Sequence, residues 1–457
     1  MHSVALLFIN VCFVGWIAAF DIDKTQLTVN IKGSEITVSV PDDRELISVF
    51  FSTEFNDECT FGYTFFQNFN NSSSLAYKQD IKKELKNDDE IRILGVFQTT
   101  DQVIRKNYDF KIDDQGNLVK QEILENLTEE CKCIQSQTEV HFKNVQKCSD
   151  TLLFEENFNE NLSNWKHELR SRVGGSFLTR EFVAYVKDKD NCFLDNGSLH
   201  IKASWVYGNY KKFPKLEECT SQTNADKFKY ECGPYSENAQ VALPAVYSAK
   251  LHTKDSFRFK YGRVEIRAKL PIGDWLFPYL ILQPVNSKCD DDNVNHIRIG
   301  YTRGNKFLHD KNINQIGGNT LFGSVVLWRD GRNFTEYTQQ MPGLPEQHYG
   351  DAFHNYTMIW RKDRIIFKVD GFNYGEITNR DVLNEINKNE CFFVLGLTAG
   401  GAVNFPDSVL DSQKFYKNHD AKNSFIFSEN TNLKKTWSNP ELVIDYIRVY
   451  TTHGNEE

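Results

Sequence analysis

Apolar and polar residues alternate along the N-terminal part of the chain. Segments 27–31 and 36–40 each carry an apolar side chain at every second position, and Lys32-Gly33-Ser34 separates them. A period of two places these side chains on one face of a β-strand. Pro41-Asp42-Asp43 then supplies turn chemistry, and 47–51 and 91–97 form further strands. This pattern predicts a small immunoglobulin-like β-sandwich over residues 21–112.

Strand patterns return after a polar segment. Residues 113–149 contain few large apolar side chains, which predicts a linker with one short helix at most, held by cysteines. Residues 150–457 show aromatic-rich strands and no sustained helical period. A concanavalin-like jelly roll of two stacked sheets is the expected fold, so the whole chain is predicted to be all-β. A length of 457 residues and an aromatic content of 13% agree with several domains rich in strands.

An apolar run from Val4 to Ala19, interrupted only by Asn10, begins the chain. Its roughly 16 residues are fewer than the ~20 that cross a bilayer, so a secretory signal peptide over residues 1–20 is favoured over a membrane anchor. Seven Asn-x-Ser/Thr sequons also favour a secreted glycoprotein, and they begin at Asn70, Asn71, Asn126, Asn161, Asn196, Asn333 and Asn355.

The cysteine content also favours a secreted protein. Without Cys12, nine remain, so at least one is unpaired or forms an intermolecular bond. Cys219 and Cys232 bracket a polar loop and are the first choice for a disulfide. Cys131-x-Cys133 lacks zinc-ligand spacing, so neither a metal nor another cofactor is expected. The formal charge of −9 disfavours nucleic acid as a partner and leaves neutral polysaccharide unaffected.

Several sequence segments in the C-terminal region are long enough to indicate a particular protein family. They are Leu153–Phe158 with Trp165, Tyr247–Lys250, Phe259–Pro271, Gly273–Pro278 and Asp445–Tyr450. These segments resemble the glucanase-like domain of insect β-1,3-glucan-recognition proteins, also called Gram-negative-bacteria-binding proteins, which is similar to family 16 glycoside hydrolases. The N-terminal region resembles the small glucan-binding module of the same proteins, through Lys32-Gly33 and Val38–Asp42. The resemblance implies that Asp43 and Asp89 contact sugar, whereas Leu94 stands where relatives have a tryptophan.

The resemblance also locates the catalytic strand. Active family members carry Glu-x-Asp-x-x-Glu shortly before Arg-Gly-Asn, and two carboxyl groups about 5 Å apart perform retaining hydrolysis. Here Arg303-Gly304-Asn305 follows a strand that has His296, Arg298 and Tyr301 at those positions. Because the last position has the wrong parity for a regular strand, a bulge must return it to the same face. Arg stays protonated and so cannot be a nucleophile, and Tyr, with a pKa of ~10, is a poor acid. No hydrolysis is therefore expected.

Two further observations concern the same cleft. Shifting the register to Asp290–Asp292 still ends in Asn295, and these acids are interpreted as a solvated turn. Ile281 replaces a tryptophan that active members carry. Sugars stack on aromatic faces, and the candidates for this role, each of which core packing would also explain, are Trp275, Phe277, Tyr279 and Trp328.

Three functions are compatible with these residues. The first is a secreted haemolymph protein of innate immunity that binds microbial β-1,3-glucan or a related polysaccharide and, by resemblance, signals to a serine-protease cascade. The second is an active β-1,3-glucanase, against which the missing carboxylates argue. The third is an interaction protein that has lost sugar binding, an alternative motivated by Leu94 and Ile281.

Overall fold

The structure is a computed structural model that divides into two units, Met1–Lys132 and Cys133–Glu457. It describes residues 27–32, 35–41, 46–55, 58–67, 74–80, 86–99, 103–115, 117–120, 136–145, 150–173, 179–206, 216, 218–221, 231–233, 243–286, 294–329, 333–343, 347–408 and 414–453. The predicted signal peptide lies outside these ranges. None of the helices in the described ranges is long and apolar enough to cross a bilayer.

The N-terminal unit contains two antiparallel sheets. The first has the order β1-β2-β5, with β1 Thr28–Lys32, β2 Glu35–Pro41 and β5 Ser74–Asp80. The second has the order β4-β3-β6-β7-β8, with β3 Leu46–Phe55, β4 Glu58–Gln67, β6 Glu90–Thr99, β7 Val103–Ile112 and β8 Leu118–Lys120. Their apolar faces share one core, in which Val38 and Ile93 are fully buried. The alternation read from the sequence therefore marks the inward faces of a sandwich.

Three sheets make up the described part of the C-terminal unit. The largest runs β10-β9-β20-β29-β22-β23-β24-β25 with β12 and β19 attached. Its strands are β9 Glu139–Val140, β10 Lys143–Asn144, β12 Lys166–His167, β19 Lys250–His252, β20 Phe259–Lys260, β22 Leu276–Pro284, β23 His296–Tyr301, β24 Thr320–Arg329, β25 Asn333–Pro342 and β29 Cys391–Ala399.

A second sheet of eight described strands has the order β15-β16-β30-β21-β26-β27-β28, with β11 paired to β30. Its strands are β11 Leu152–Glu156, β15 Cys192–Asp195, β16 Ser198–Lys202, β21 Gly262–Lys269, β26 His354–Trp360, β27 Ile365–Val369, β28 Phe372–Ile377 and β30 Glu441–Tyr450. A small sheet, β13-β14-β18-β17, adds β13 Arg170–Ser171, β14 Val183–Tyr185, β17 Ser204–Trp205 and β18 Val246–Ser248.

Hydrophobic patterning explains how the two large sheets pack. In β21 buried and half-buried residues alternate, and Val264 and Ile266 point into the core with no exposed surface. In contrast, every residue of β22 and of β29 is buried. A strand that is apolar throughout is covered on both faces, so something besides the second sheet covers the outer faces of these two strands. Part of these outer faces forms the floor of the cleft described below.

The predicted linker, residues 113–149, contributes strands to both units. β8 pairs with β7, while β9 pairs with β20 at the edge of the largest sheet. Thr138 further anchors this segment, since its hydroxyl accepts a hydrogen bond from the backbone of Thr452 at 3.0 Å. Short strands of two or three residues carry too little pattern to be recognised in a sequence. Residues 121–135 and 146–149 lie outside the described ranges.

Three short helices with described bounds were not predicted. They are α1 Arg380–Ile386, α2 Asn423–Glu429 and α3 Thr431–Thr436. Each spans two turns or fewer, which is too short for a helical period to appear in the sequence. Local capping supports two of them, since Asn379 accepts hydrogen bonds from Asp381 and Val382 and Asn430 accepts one from Leu433.

The structure forms the disulfide between Cys219 and Cys232 that was the first choice from sequence, with a Cα–Cα distance of 5.6 Å. Among the described cysteines, Cys192 and Cys391 are free thiols. Burial raises the pKa of Cys192 to about 12, so this thiol is unreactive.

The glycosylation sequons differ in accessibility. Asn161, Asn196 and Asn333 are exposed. Asn355 lies in β26, paired with Arg267, and its amide oxygen is buried without a hydrogen-bond partner. Asn70, Asn71 and Asn126 lie outside the described residues.

We expect glycans on Asn161, Asn196 and Asn333 and none on Asn355, because a glycan there would have to displace the packed strand. Peptide mapping by mass spectrometry of protein secreted from insect cells measures the occupancy of each site. Equal occupancy at Asn355 and Asn333 would contradict the assignment. Asn333→Gln serves as a control, since it should remove one glycan only.

Candidate ligand-binding cleft

Strand β23, to which the resemblance assigns the family's catalytic positions, contains a bulge. Arg298 pairs with Ser324 of β24, but Tyr301 pairs with Phe322, so β23 has one extra residue between them. This shift restores the parity that the spacing requires, and His296, Arg298 and Tyr301 share one face. The Arg298 Nε donates to His296 Nε2 at 3.2 Å, and its guanidinium lies 5.3 Å from the centre of the Tyr301 ring.

Arg298 is almost fully buried, with 2% of its surface exposed. Its guanidinium pairs with Glu336 Oε1 at 3.1 Å, donates to Asn404 Oδ1 at 3.0 Å and stacks over Phe277 at 5.0 Å. A buried cation requires such partners because losing water is costly. Arg298 therefore joins strands β23 and β25 to the loop that contains Asn404.

Glu336 Oε1 also accepts hydrogen bonds from the hydroxyls of Tyr301 at 2.8 Å and Ser324 at 2.6 Å. Burial alone would raise the pKa of Glu336. The charge of Arg298 and the hydrogen bonds outweigh burial and hold this pKa below its usual value. Glu336 is thus an ionised carboxylate with three donors on one oxygen.

His296 is neutral in this environment. Burial and the charge of Arg298 lower the pKa of His296 to about 3. Its Nδ1 lies 2.9 Å from the carbonyl oxygen of Val294, so Nδ1 carries the proton and Nε2 accepts from Arg298. Neither nitrogen is left to act on a ligand.

A second carboxylate, Glu181, lies on the other side of Asn404. The Tyr279 hydroxyl donates to Glu181 Oε1, while Tyr185 at 2.8 Å and Arg172 at 3.4 Å donate to Oε2. Asn404 Nδ2 donates to the Tyr279 oxygen at 3.0 Å. A continuous path of hydrogen bonds therefore runs from Glu336 through Arg298, Asn404 and Tyr279 to Glu181.

Lys250 adds a third ion pair. Its ammonium lies 2.8 Å from Glu168 Oε2 and 5.5 and 5.9 Å above the rings of Tyr185 and Tyr279. Glu168 also accepts from Arg170 Nε at 2.6 Å. Glu168 is 4% exposed, while the Lys250 side chain is 15% exposed. Lys250 is therefore the more exposed member of this pair.

These side chains surround an open cleft on the face of β22, β23 and β29. Its described lining consists of Arg172, Thr179, Glu181, Lys250, Tyr279, Ile281, Gln283, Val294, His296, Arg298, Trp328, Val394 and Val403. Among the aromatic candidates, the structure therefore places Tyr279 and Trp328 at the cleft. Tyr301 lies beneath it.

Trp275 and Phe277, the other two stacking candidates, are packed in the core and are absent from the described lining. Trp275 is 4% exposed and Phe277 not at all. Phe405 packs against both rings, at 5.2 and 6.3 Å between centres. A segment distant in sequence thus covers them, and neither presents a face to a sugar.

The N-terminal candidates are only partly described. Asp89 accepts a hydrogen bond from the backbone of Lys86 at 2.7 Å, which shapes the turn before β6. Asp43, the side chain of Leu94 and Asp290–Asp292 lie outside the described residues. Within the described ranges, no cluster of three His, Cys, Asp or Glu side chains has the geometry to hold a metal ion.

The sequence analysis did not identify two residues that line the cleft, Arg172 and Glu181, or two that bind Arg298 behind it, Glu336 and Asn404. None lies near the β23 motif in sequence, and each reaches it from another strand or loop. For Lys250 the sequence did offer an indication, because this residue ends one of the segments that carry the family resemblance, Tyr247-Ser248-Ala249-Lys250.

Comparisons with known proteins agree with this architecture. The family described as glycosyl hydrolases family 16 matches residues 216–410. Gram-negative bacteria-binding protein 2 of Drosophila melanogaster is 34% identical over 443 residues, which span 92% of this chain and 93% of the relative. The chain belongs to the Gram-negative bacteria-binding and β-1,3-glucan-binding protein family. Another member, β-1,3-glucan-binding protein 1 of Manduca sexta, is 30% identical, covering 66% of this chain and 65% of its own length.

Solved structures are also similar to part of this chain. The catalytic domain of an endo-1,3-β-glucanase from Thermotoga petrophila is 20% identical with a TM-score of 0.43, covering 66% of this chain and 97% of its own. The endo-β-1,3-glucanase of Pyrococcus furiosus is 20% identical with a TM-score of 0.43, covering 67% of this chain and 96% of its own. The assignment to the binding-protein family depends on the sequence relatives, which are named as binding proteins rather than enzymes.

Proposed function

We propose that this chain is a secreted recognition protein that binds microbial β-1,3-glucan or a related surface polysaccharide without hydrolysing it. The observation that carries the proposal is the face of β23 that presents His296, Arg298 and Tyr301, where the resemblance predicts the family's catalytic carboxylates. An arginine paired with Glu336 cannot attack or protonate a glycosidic bond. The names of the relatives support glucan as the ligand.

Glu181 and Glu336 are the two carboxylates that an enzymatic alternative would need. Retaining hydrolysis requires one protonated carboxylic acid and one unencumbered nucleophile about 5 Å apart. Glu336 is ionised and accepts three hydrogen bonds on Oε1. Both oxygens of Glu181 already accept hydrogen bonds from protein donors. Side chains held in this way act as counter-ions of the neighbouring arginines, which favours binding over catalysis.

A laminarin assay for reducing ends tests the absence of hydrolysis. We expect no release of sugar above the buffer blank, because acid–base catalysis alone normally supplies about 100- to 10,000-fold and the nucleophile is missing as well. Turnover that Glu181→Gln or Glu336→Gln abolishes would make the chain an enzyme. Turnover lost on changing His296 or Tyr301 would have the same meaning.

Retention on insoluble curdlan tests binding and separates the first function from the third. Recognition requires the chain to sediment with curdlan and to elute with soluble laminarin. Failure to sediment would favour an interaction protein that has lost sugar binding. We further propose that the bound chain acts in haemolymph and signals to a serine protease, an expectation that proteolytic activation of plasma by the curdlan-bound protein would test.

A further inference from the structure

The charged side chains that line the cleft are mainly cationic. Among the described lining residues Arg172, Lys250 and Arg298 are cations, and Glu181 is the one carboxylate. The counter-ions of Lys250 and Arg298 are Glu168 and Glu336, which do not line the cleft. Of these two cations, Arg298 is buried and bonded to protein acceptors, so Lys250 is the one with a partly exposed side chain.

Hydrogen-bond capacity shows the same imbalance. Both oxygens of Glu181 already accept hydrogen bonds from protein donors. Lys250 has three N–H groups, its side chain is 15% exposed, and Glu168 is its carboxylate partner among the described residues. Trp328 Nε1 is a buried donor with no hydrogen-bond partner. Neutral sugars offer hydroxyls that need acceptors as well as donors, and the charged side chains of this lining are mostly donors.

We infer that the cleft selects an anionic saccharide, one whose ring carries a carboxylate or a comparable oxyanion that lies against Lys250. This inference rests on the proposed function and narrows the class of polysaccharide. An ammonium on a flexible stem beside two aromatic rings can meet an oxyanion without displacing the Glu168 pair. A chain with a net charge of −9 repels anions at long range, so the selection acts only within the cleft, where low dielectric strengthens contacts.

The experiment compares two probes that share a backbone. Isothermal titration measures binding of the full chain to laminarin and to carboxymethylated β-1,3-glucan at low salt and at high salt. We expect the carboxylated glucan to bind about tenfold more tightly or better, since a charge-assisted hydrogen bond contributes about that factor. High salt should reduce this preference.

The Lys250→Met variant removes the ammonium and keeps the aliphatic stem. It should abolish the preference, measured as the ratio of the two affinities within that variant. Lys202→Met is the matched control, because Lys202 is exposed on β16 in the other large sheet, and it should keep the preference. If Lys250→Met fails to fold, protection of Lys250 from chemical acetylation by carboxymethylated glucan, but not by laminarin, provides the same test on the native chain.

The outcomes separate the two proposals. Equal affinity for both glucans, or a preference that persists in folded Lys250→Met, overturns the inference and leaves glucan recognition standing. Absence of protection at Lys250 has the same meaning. Failure to bind either glucan overturns glucan recognition itself, and the anionic selection then fails with it.

Discussion

Replacing Arg298 by alanine should lower the free energy of unfolding by about 3–5 kcal/mol. Removing one member of a buried ion pair leaves the other as an uncompensated charge, and breaking such pairs has effects of this size. Here Glu336 would remain ionised beneath the cleft, and Asn404 would lose a hydrogen-bond donor. Urea denaturation of the full chain, followed by tryptophan fluorescence, measures the change.

A matched control uses an exposed arginine. Arg364 pairs with Asp363 at 3.0 Å with a third of its side chain exposed, so Arg364→Ala should change the unfolding free energy by less than about 1 kcal/mol. The double variant Arg298→Met with Glu336→Gln removes both charges and should recover much of the loss. If Arg298→Ala is no more destabilising than Arg364→Ala, the ion pair does not hold the cleft together.

The loss of stability in Arg298→Ala should depend on pH in a defined direction. In the native chain the lowered pKa of Glu336 adds stability above the usual carboxyl pKa, and this stability is lost as the pH falls through the folded value. Without Arg298, burial dominates and raises the pKa of Glu336. The difference in stability between the native chain and Arg298→Ala should therefore shrink on acidification and be largest near neutral pH.

Replacing both Cys219 and Cys232 by serine should destabilise the C-terminal unit by about 3 kcal/mol. A cross-link over a sequence separation of 13 restricts the unfolded chain, and loops of this length give about that effect. Glu231, the residue before Cys232, is 3% exposed. It accepts a hydrogen bond from the Ser221 hydroxyl and pairs with Arg170 at 3.4 Å. Release of this loop would uncover that buried pair.

Thermal unfolding followed by circular dichroism measures the loss. Cys192→Ser is the control, because Cys192 is a free and half-buried thiol whose replacement should change the unfolding free energy by about 1 kcal/mol or less. An unchanged melting temperature in the Cys219→Ser, Cys232→Ser variant would show that this bond does not stabilise the fold.

Local patterns in the sequence determined the strands and the bulge. The period-two alternation of residues 36–40 predicted the inward face of β2, since side-chain direction in a strand depends only on neighbours along the chain. The spacing of Arg298 and Tyr301 required an extra residue in β23, and the register contains it. The choice of Cys219 with Cys232 also followed from a short loop.

Tertiary structure alone decided which aromatic rings face the cleft and what neutralises Arg298. Trp275 and Tyr279 look alike in sequence, but Phe405, more than a hundred residues later, covers the first and leaves the second at the cleft. Glu336 meets Arg298 because β24 lies between β23 and β25. Such contacts depend on which distant strands become neighbours, and neither period nor spacing along the chain encodes that.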